Sequence, residues 1–228
     1  MAAQAAVGVL VSGAPTENAI VLETDERARL VADLLTELAA AVPSSAALLR
    51  GSLAEGRADP YSDIDLLWDV PDADFNAAIV QLPVTLERVR SVASLRFDPD
   101  FQQSAKRRLA FIRFDSVPLF WRVDLDVFAR SVGRDPDFDR DNSCARGTVW
   151  SFAESSLATV VAAIKAQRRG QNAEAAALLA RAEARVGIAS PASDLQSRIG
   201  LLIDAVAGKD PTTAAMAADI RQLLTALP

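Results

Sequence analysis

The chain has 228 residues, with 24 basic and 30 acidic side chains, no histidine and a single cysteine. The lack of histidine excludes a Ser-His-Asp triad, a histidine general base and an HExxH zinc site. The lone Cys144 excludes a disulfide framework and a structural zinc cluster. A net charge of -6 weighs against broad electrostatic binding to nucleic acid. Carboxylates, hydroxyls, arginines and a bound metal remain as means of catalysis.

Targeting and membrane signals are weak at the start of the chain. Residues 1–15 are rich in Ala and Val but lack the basic segment of a signal peptide. The apolar run from Ala5 to Val11 is too short to cross a bilayer. We therefore expect a flexible N-terminal arm or a short edge element over residues 1–15, no membrane association, and a cytoplasmic location.

The first elements are a helix and two strands. An apolar stripe at helical spacing predicts a helix that begins near Thr24 and ends before Pro43. Residues 46–49 form a short apolar strand that stops at Gly51-Ser52. The alternating stretch over 64–70 predicts a second strand, closed by a Pro-Asp turn.

The middle of the chain is less regular. Residues 72–82 and 85–95 have a helical or mixed pattern. Two further strands are predicted over Leu109–Phe114 and Leu119–Phe128, joined by a turn that contains Pro118. The polar composition of residues 130–146 predicts a linker or loop.

The C-terminal part is helical. Val149 and Phe152 begin an apolar face at the 3.6-residue period that continues to Ile164. Ser190-Pro191 and Asp210-Pro211 each offer a helix cap followed by proline. Three further helices are predicted, over 173–186, 195–206 and 214–227. Four helices with short connections suggest a small antiparallel bundle.

The distribution of aromatic residues supports a sheet-containing middle between helical flanks. Every Phe, Tyr and Trp lies between Tyr61 and Phe152, whereas the flanks are rich in Ala, Leu and Val. Aromatic residues suit pleated sheets, and Ala and Leu suit helices. The sequence therefore predicts a sheet-containing middle, a helix before it and helices after it.

Two predicted strands carry an unusual number of aspartates. Side chains two apart on a strand face the same way, so Asp63, Asp65 and Asp69 share one face of the first acidic strand. Asp124 and Asp126 share a face of the second with Arg122. Such carboxylates repel one another unless hard cations bridge them, and Mg²⁺ prefers carboxylate oxygen. Solvated acid on a wet strand face is the alternative interpretation.

Gly51-Ser52 lies twelve residues before Asp63 and follows a short strand. A turn of this kind can present backbone N–H groups and a hydroxyl to phosphate, although it is also an ordinary turn. No P-loop pattern occurs in the chain.

The run from Leu49 through Gly51-Ser52 to Asp63-Ile64-Asp65-Leu66 resembles the signature of the polymerase-β-like nucleotidyltransferase superfamily, and within it the small, antibiotic-type bacterial enzymes. Arg122-Val123-Asp124 resembles its third acidic element. The resemblance covers residues 46–128. It implies an α+β fold, in which a small mixed sheet flanked by helices is followed by a C-terminal helical bundle, with a nucleotidyltransferase domain over 16–141 and a helical domain over 147–228.

The resemblance also implies the site. Asp63, Asp65 and Asp124 would be catalytic and would bind two Mg²⁺ ions, with Asp126 as the competing third acid. Gly51 and Ser52 would hold the nucleoside triphosphate. Many small members carry a base at the position of Glu55, so Arg57 is the nearest candidate for that phosphate contact.

The implied reaction transfers a nucleoside monophosphate, with ATP as the expected donor, to a hydroxyl of a small molecule. A cleft lined by Asp69, Asp126 or Glu154 would suit a cationic acceptor such as an aminoglycoside. Two alternatives stay open, namely a protein- or tRNA-modifying enzyme of the toxin–antitoxin type and a non-catalytic nucleotide-binding relative. The acidic charge weighs against nucleic acid as a partner, and a homodimer is an open expectation.

Overall fold

The computed structural model describes residues 24–225, so the N-terminal arm predicted over 1–15 lies outside the described residues. Strands occupy β1 Ala46–Arg50, β2 Ile64–Val70, β3 Val92–Phe97, β4 Arg107–Phe114 and β5 Val123–Ala129. Helices occupy α1 Thr24–Ala41, α2 Gly51–Ala54, α3 Phe75–Val89, α4 Phe152–Arg168, α5 Asn172–Val186, α6 Leu195–Lys209 and α7 Ala214–Thr225. The predicted α+β class, with a mixed sheet and a helical C-terminal region, is confirmed.

The five strands form one sheet in the order β1-β2-β5-β4-β3. The central pair, β2 and β5, is parallel, and the pairs outside it are antiparallel. The two acidic strands are therefore direct neighbours at the centre of the sheet.

The two faces of the sheet differ in character. Ile64, Leu66 and Trp68 on β2 and Val123 and Leu125 on β5 are essentially inaccessible to water. These side chains join one hydrophobic core with the buried stripes of α1 and α3. The opposite face carries the aspartates, and α4 contacts it through the ion pairs of Lys165 and Glu154. Both acidic strands thus alternate as predicted, with apolar side chains towards the core and aspartates on the opposite face.

The segment over 85–95 differs from the expectation of a helical or mixed stretch. Helix α3 ends at Val89, and β3 follows as an edge strand. The helix also continues through Pro83, which is exposed. Phe75, Leu82 and Leu86 lie on its buried face on both sides of that proline, so packing outweighs the lost backbone hydrogen bond.

The second acidic strand begins later than predicted. Leu119–Trp121 forms a 3-10 turn in which the Trp121 N–H donates to the Pro118 carbonyl at 2.8 Å, and β5 starts at Val123. Trp121 is buried, and its Nε1 donates to the Pro60 carbonyl at 3.0 Å. Trp121 therefore packs in the core immediately before the strand begins.

Two predictions in the helical region were wrong in detail. Val149 and Phe152 are 77% and 60% exposed, because α4 begins at Phe152 behind a Ser151 cap and its buried face starts later. The cap expected at Ser190-Pro191 is absent, and α6 begins at Leu195 with Asp194 as its cap. The Asp210-Pro211 cap is confirmed, on a 3-10 turn that leads into α7.

Buried residues of α4 to α7 join the same hydrophobic cluster as those of the sheet. The division at residues 141–147 stays a prediction. Within residues 24–225, no helix has the length and apolar character needed to span a membrane.

Candidate active site

The turn after β1 packs against a central aspartate. Gly51 has a φ of +63°, the left-handed conformation that glycine adopts without strain. A Cβ at this position would overlap with the Asp65 carboxylate. Only a glycine therefore allows the backbone to approach Asp65 this closely. Ser52 follows in the short helical turn α2.

One row of side chains crosses the whole sheet. Arg50, Asp65, Asp124, Phe111 and Arg96 are successive partners on β1, β2, β5, β4 and β3. Paired residues on neighbouring strands face the same way, so these five side chains share one face. We call them the transverse row. It places the two aspartates side by side, between the Gly51 turn and an aromatic–arginine edge.

Asp65 and Asp124 are both destabilised as anions. Burial raises the pKa of Asp65, and the charge of Asp63 raises it further, while Arg122, Arg50 and Lys165 oppose the shift. Burial likewise raises the pKa of Asp124 against the effect of Arg122. Repulsion between closely placed, desolvated carboxylates is the electrostatic strain that a bound cation relieves.

Asp124 is held by a neighbouring arginine. Arg122 Nε and Nη2 each donate to the Asp124 carboxylate at 2.6 Å. Burial acts to lower the pKa of Arg122, but the charge and hydrogen bonds of Asp124, together with the charges of Asp63 and Asp65, outweigh it and the pKa is raised. Arg122 is thus a firmly charged partner that neutralises Asp124 within the chain.

Asp63 faces helix α4. Its carboxylate forms an ion pair with Lys165, whose side chain is only 7% exposed. Burial lowers the pKa of Lys165, and the contact with Asp63 opposes that shift. A small cavity of about 50 Å³ adjoins this pair. The lysine comes from the C-terminal helices, so those helices contribute directly to the acidic site.

A larger cavity of about 340 Å³ lies beside the Gly51 turn, with Asp65, Asp124 and Asp126 in its wall. Asp126, the competing third acid, accepts two hydrogen bonds of 3.2 Å from Arg107, which is itself buried. Arg50 lies 3.7 Å from the same carboxylate. The pairing across β2 and β5 places Asp124, and not Asp126, opposite Asp65. Asp124, and not Asp126, is therefore the carboxylate that lies beside Asp65.

The remaining acids proposed for a cationic acceptor have arginine partners. Glu154 lies 3.3 Å from Arg96 and 3.8 Å from Arg113 and accepts a hydrogen bond from Ser94. Asp69 is contacted in the same way by two arginines, Arg130 at 3.0 Å and Arg134 at 3.4 Å. These carboxylates are internally neutralised and do not form an acidic cleft.

Arg57 contacts the Gly51 turn through its backbone, whose N–H donates to the Ser52 carbonyl at 2.9 Å. Its side chain is 72% exposed and forms an ion pair with Glu55. Arg50, the last residue of β1, is instead the arginine in the wall of the cavity beside Gly51.

The donor types fit magnesium, because Asp63, Asp65 and Asp124 offer carboxylate oxygens at the start of two adjacent strands. Over the described range 24–225, no three Asp, Glu, His or Cys side chains are gathered closely enough to hold an ion. Lys165 holds Asp63 and Arg122 holds Asp124 instead. An ion shared by the three carboxylates would therefore compete with these cations for Asp63 and Asp124.

Sequence reasoning missed two cations of the site. Lys165 is separated from Asp63 by about a hundred residues, and no spacing rule links them. A signal did exist, since Lys165 lies on the apolar face of α4 next to Ile164, among residues that are otherwise buried and uncharged. Arg50 carried no such signal, because only the register of β1 places it opposite Asp65.

Comparison with known proteins adds little to this description. No protein-family model and no curated protein matches the chain. A chain in the solved structure of the GLD-2/RNP-8 complex aligns with a TM-score of 0.37 and 13% identity, over 79% of this chain and 76% of that chain. A similarity of this size carries no argument about activity.

Proposed function

We propose that this protein is a Mg²⁺-dependent nucleotidyltransferase. It transfers a nucleoside monophosphate from a nucleoside triphosphate, with ATP as the expected donor, to a hydroxyl of a small molecule and releases pyrophosphate. The observation that carries the proposal is the pairing of Asp65 with Asp124 on adjacent parallel strands, with the Gly51 turn packed against Asp65. This arrangement agrees with the Gly-Ser and Asp-x-Asp spacing of the sequence.

Each group has a distinct task in this proposal. The Gly51 turn and the Ser52 hydroxyl, which makes no hydrogen bond to other residues of the 24–225 range, bind the phosphates. Asp63, Asp65 and Asp124 would hold two Mg²⁺ ions. When bound, these ions neutralise charge on the phosphates and lower the pKa of the acceptor hydroxyl.

The transfer needs only the nucleoside triphosphate and the acceptor as reactants. The acceptor oxygen forms a bond to the α-phosphorus, and the bond from that phosphorus to the bridging oxygen of the β-phosphate breaks. Pyrophosphate leaves with the electron pair, and the hydroxyl proton passes to Asp124 or to water. Positioning and electrostatic stabilisation provide most of the acceleration.

A specific observation supports a second candidate, a non-catalytic nucleotide-binding relative. Lys165 and Arg122 already neutralise Asp63 and Asp124, so the chain carries its own cations where metals would bind. A protein of this kind would bind nucleotide without transferring it.

The decisive experiment uses α-labelled ATP, GTP, CTP and UTP with Mg²⁺ and a panel of hydroxyl-bearing small molecules. We expect labelled product and pyrophosphate with ATP, and a loss of at least about 100-fold in Asp65→Asn. Asp33→Asn is the matched control, since Asp33 is exposed on α1.

Two outcomes count against the proposal. No labelled product with any nucleotide, combined with measurable nucleotide binding, would establish the non-catalytic candidate. Unchanged Mg²⁺-nucleotide affinity in Asp65→Asn would contradict the site assignment itself.

A further inference from the structure

A third cavity lies between the β3–β4 edge of the sheet and helices α4 and α5. Its volume is about 350 Å³, within the range of small-molecule pockets. Its walls include Arg96, Phe111, Arg122, Trp150, Arg181 and Arg185. None of these residues belongs to the carboxylate set of the candidate active site.

This cavity adjoins the active site on the side away from the Gly51 turn. Phe111 and Arg96 continue the transverse row beyond Asp124, whereas Gly51 follows Arg50 at its other end. Arg122 lies in the cavity wall and also holds Asp124. A ligand in the cavity would therefore approach Asp124 from the side opposite the donor phosphates.

The cavity carries an excess of positive charge. Four arginines lie in its wall against one carboxylate, Asp98. Arg185 donates only to neutral oxygens, those of Ser155 and Thr159. Arg181 is exposed and forms no ion pair with any side chain in the described range. Two arginines thus have no carboxylate partner within residues 24–225.

Arg96 is also incompletely satisfied. Its Nε lies 3.3 Å from Glu154, yet neither Nε nor Nη1 donates a hydrogen bond, and both atoms are buried. A buried donor without a partner is costly, and an anion is the acceptor to which a guanidinium donates most strongly.

Aromatic rings form the other part of the wall. Trp150 and Phe111 are half-buried and meet edge to face, with ring centres 6.1 Å apart and planes at 67°. The Arg96 guanidinium lies 4.9 Å from the Trp150 ring centre. Flat aromatic and guanidinium surfaces of this kind favour a ligand with a planar ring.

We propose that this cavity binds the acceptor, and that the acceptor is a small molecule carrying both an aromatic ring and a phosphate, as a mononucleotide does. The inference rests on the proposed function and replaces the cationic acceptor expected from sequence. Arginines recognise the phosphate, the rings contact the planar group, and a hydroxyl between them faces Asp124.

The test measures binding by calorimetry in EDTA, with AMP, adenosine and a cationic aminosugar as probes. We expect AMP to bind at least about tenfold more tightly than adenosine, and the aminosugar not to bind. Arg181→Gln should weaken AMP at least about fivefold and leave adenosine unchanged. Arg88→Gln, which removes an exposed arginine of α3, is the matched control and should change neither.

A second variant distinguishes the loss of a specific contact from the loss of the fold. Trp150→Leu should weaken AMP and adenosine by a similar factor, because it removes the ring contact and keeps the arginines. Equal affinity for AMP and adenosine, or unchanged AMP binding in Arg181→Gln, would overturn the inference. Competition between AMP and a non-hydrolysable ATP analogue with Mg²⁺ would also overturn it, since donor and acceptor must bind together.

Failure of the inference and failure of the proposed function give different results. AMP binding that persists in Asp65→Asn, in a protein that never transfers a nucleotide, removes the enzymatic proposal and retains the anion-binding cavity. Nucleotide transfer to a cationic aminosugar, in a protein that does not bind AMP, retains the enzyme and removes the inference.

Discussion

Gly51 shows how much a single residue contributes to the candidate site. Gly51→Ala adds a methyl group in a left-handed conformation and against the Asp65 carboxylate. We expect it to lower the free energy of unfolding by about 2–4 kcal/mol, of which about 1–2 kcal/mol is backbone strain. Urea unfolding measures this loss.

Gly56→Ala is the matched control for that experiment. Gly56 has a similar φ of +67°, but no atom lies within 4 Å of the added Cβ. It should cost the backbone strain alone, about 1–2 kcal/mol. Equal losses in the two variants would show that the Gly51 turn does not pack tightly against Asp65.

The Lys165–Asp63 pair predicts an asymmetric response to substitution. Lys165 is 7% exposed and Asp63 is 32% exposed, so removal of the aspartate leaves a buried charge without its partner. Lys165→Met instead places an apolar chain of similar length in an apolar setting. We expect Asp63→Asn to cost about 2 kcal/mol more than Lys165→Met in chemical denaturation at pH 7. A larger loss of unfolding free energy in Lys165→Met than in Asp63→Asn would show that Lys165 is not the costlier charge to leave unpaired.

The residues of the site differ in how far sequence could predict them. Gly51, Asp63, Asp65 and Asp124 follow from the spacing of one motif and the alternation of two strands. Their cation partners could not be predicted in the same way. Lys165 reaches Asp63 only through the packing of α4 on the sheet, which is a long-range contact. The charge state of the site is therefore a property of the tertiary fold.

An ion pair connects the end of α4 to the loop before β2. Arg169 donates to both oxygens of Asp59, at 2.6 and 2.8 Å, and these hydrogen bonds hold the pKa of Asp59 well below its usual range. A lowered carboxylate pKa gives stability that is complete above the unfolded-state value, about pH 4, and is lost as the pH falls below it. The pair thus stabilises the contact of α4 with the loop before β2 at neutral pH.

Arg169→Gln should lower the free energy of unfolding at pH 7 by about 0.5–1 kcal/mol, the range of partly exposed ion pairs. It should also lose less stability than the natural chain between pH 5 and pH 3, because the linked proton uptake is gone. Arg140→Gln serves as the control, since Arg140 pairs with Asp137 at an exposed position. Parallel pH curves for the natural chain and Arg169→Gln would contradict the linkage.

Elements with a strong pattern were predictable, and elements without one were not. Strand β2 was predicted with its final boundaries because apolar and acidic residues alternate along it. Strand β3 was missed because, as an edge strand, it is only partly buried along nearly its whole length. Residues 72–82 and 85–95 were expected as two separate segments, yet α3 runs through Pro83 between them because its apolar stripe is continuous. Strand order followed from no local pattern.

For the molecule as a whole, the single hydrophobic core matters most. Buried residues of the sheet and of helices α4 to α7 belong to one cluster. We therefore expect one cooperative unfolding transition. In Trp150→Phe, the fluorescence of the buried Trp68 and Trp121 reports the sheet, and far-UV circular dichroism reports mainly the helices.

The two signals should share one urea midpoint and one m-value. Loss of helical signal at a separate midpoint would contradict this expectation and would support independent domains over 16–141 and 147–228.

The transverse row fixes distances between side chains across the face of the sheet. It crosses five strands, and neighbouring strands lie about 4.8 Å apart, so its ends are separated by about 19 Å. Distances along such a row are fixed by backbone hydrogen bonds and not by flexible side chains. A shift of β5 by one residue against β2 would turn Asp124 to the apolar face and remove the middle side chain from the row. Strand register therefore determines the spacing between the Gly51 end and the aromatic end of the row. Substitutions that shift the register can abolish this spacing even when they preserve every site residue.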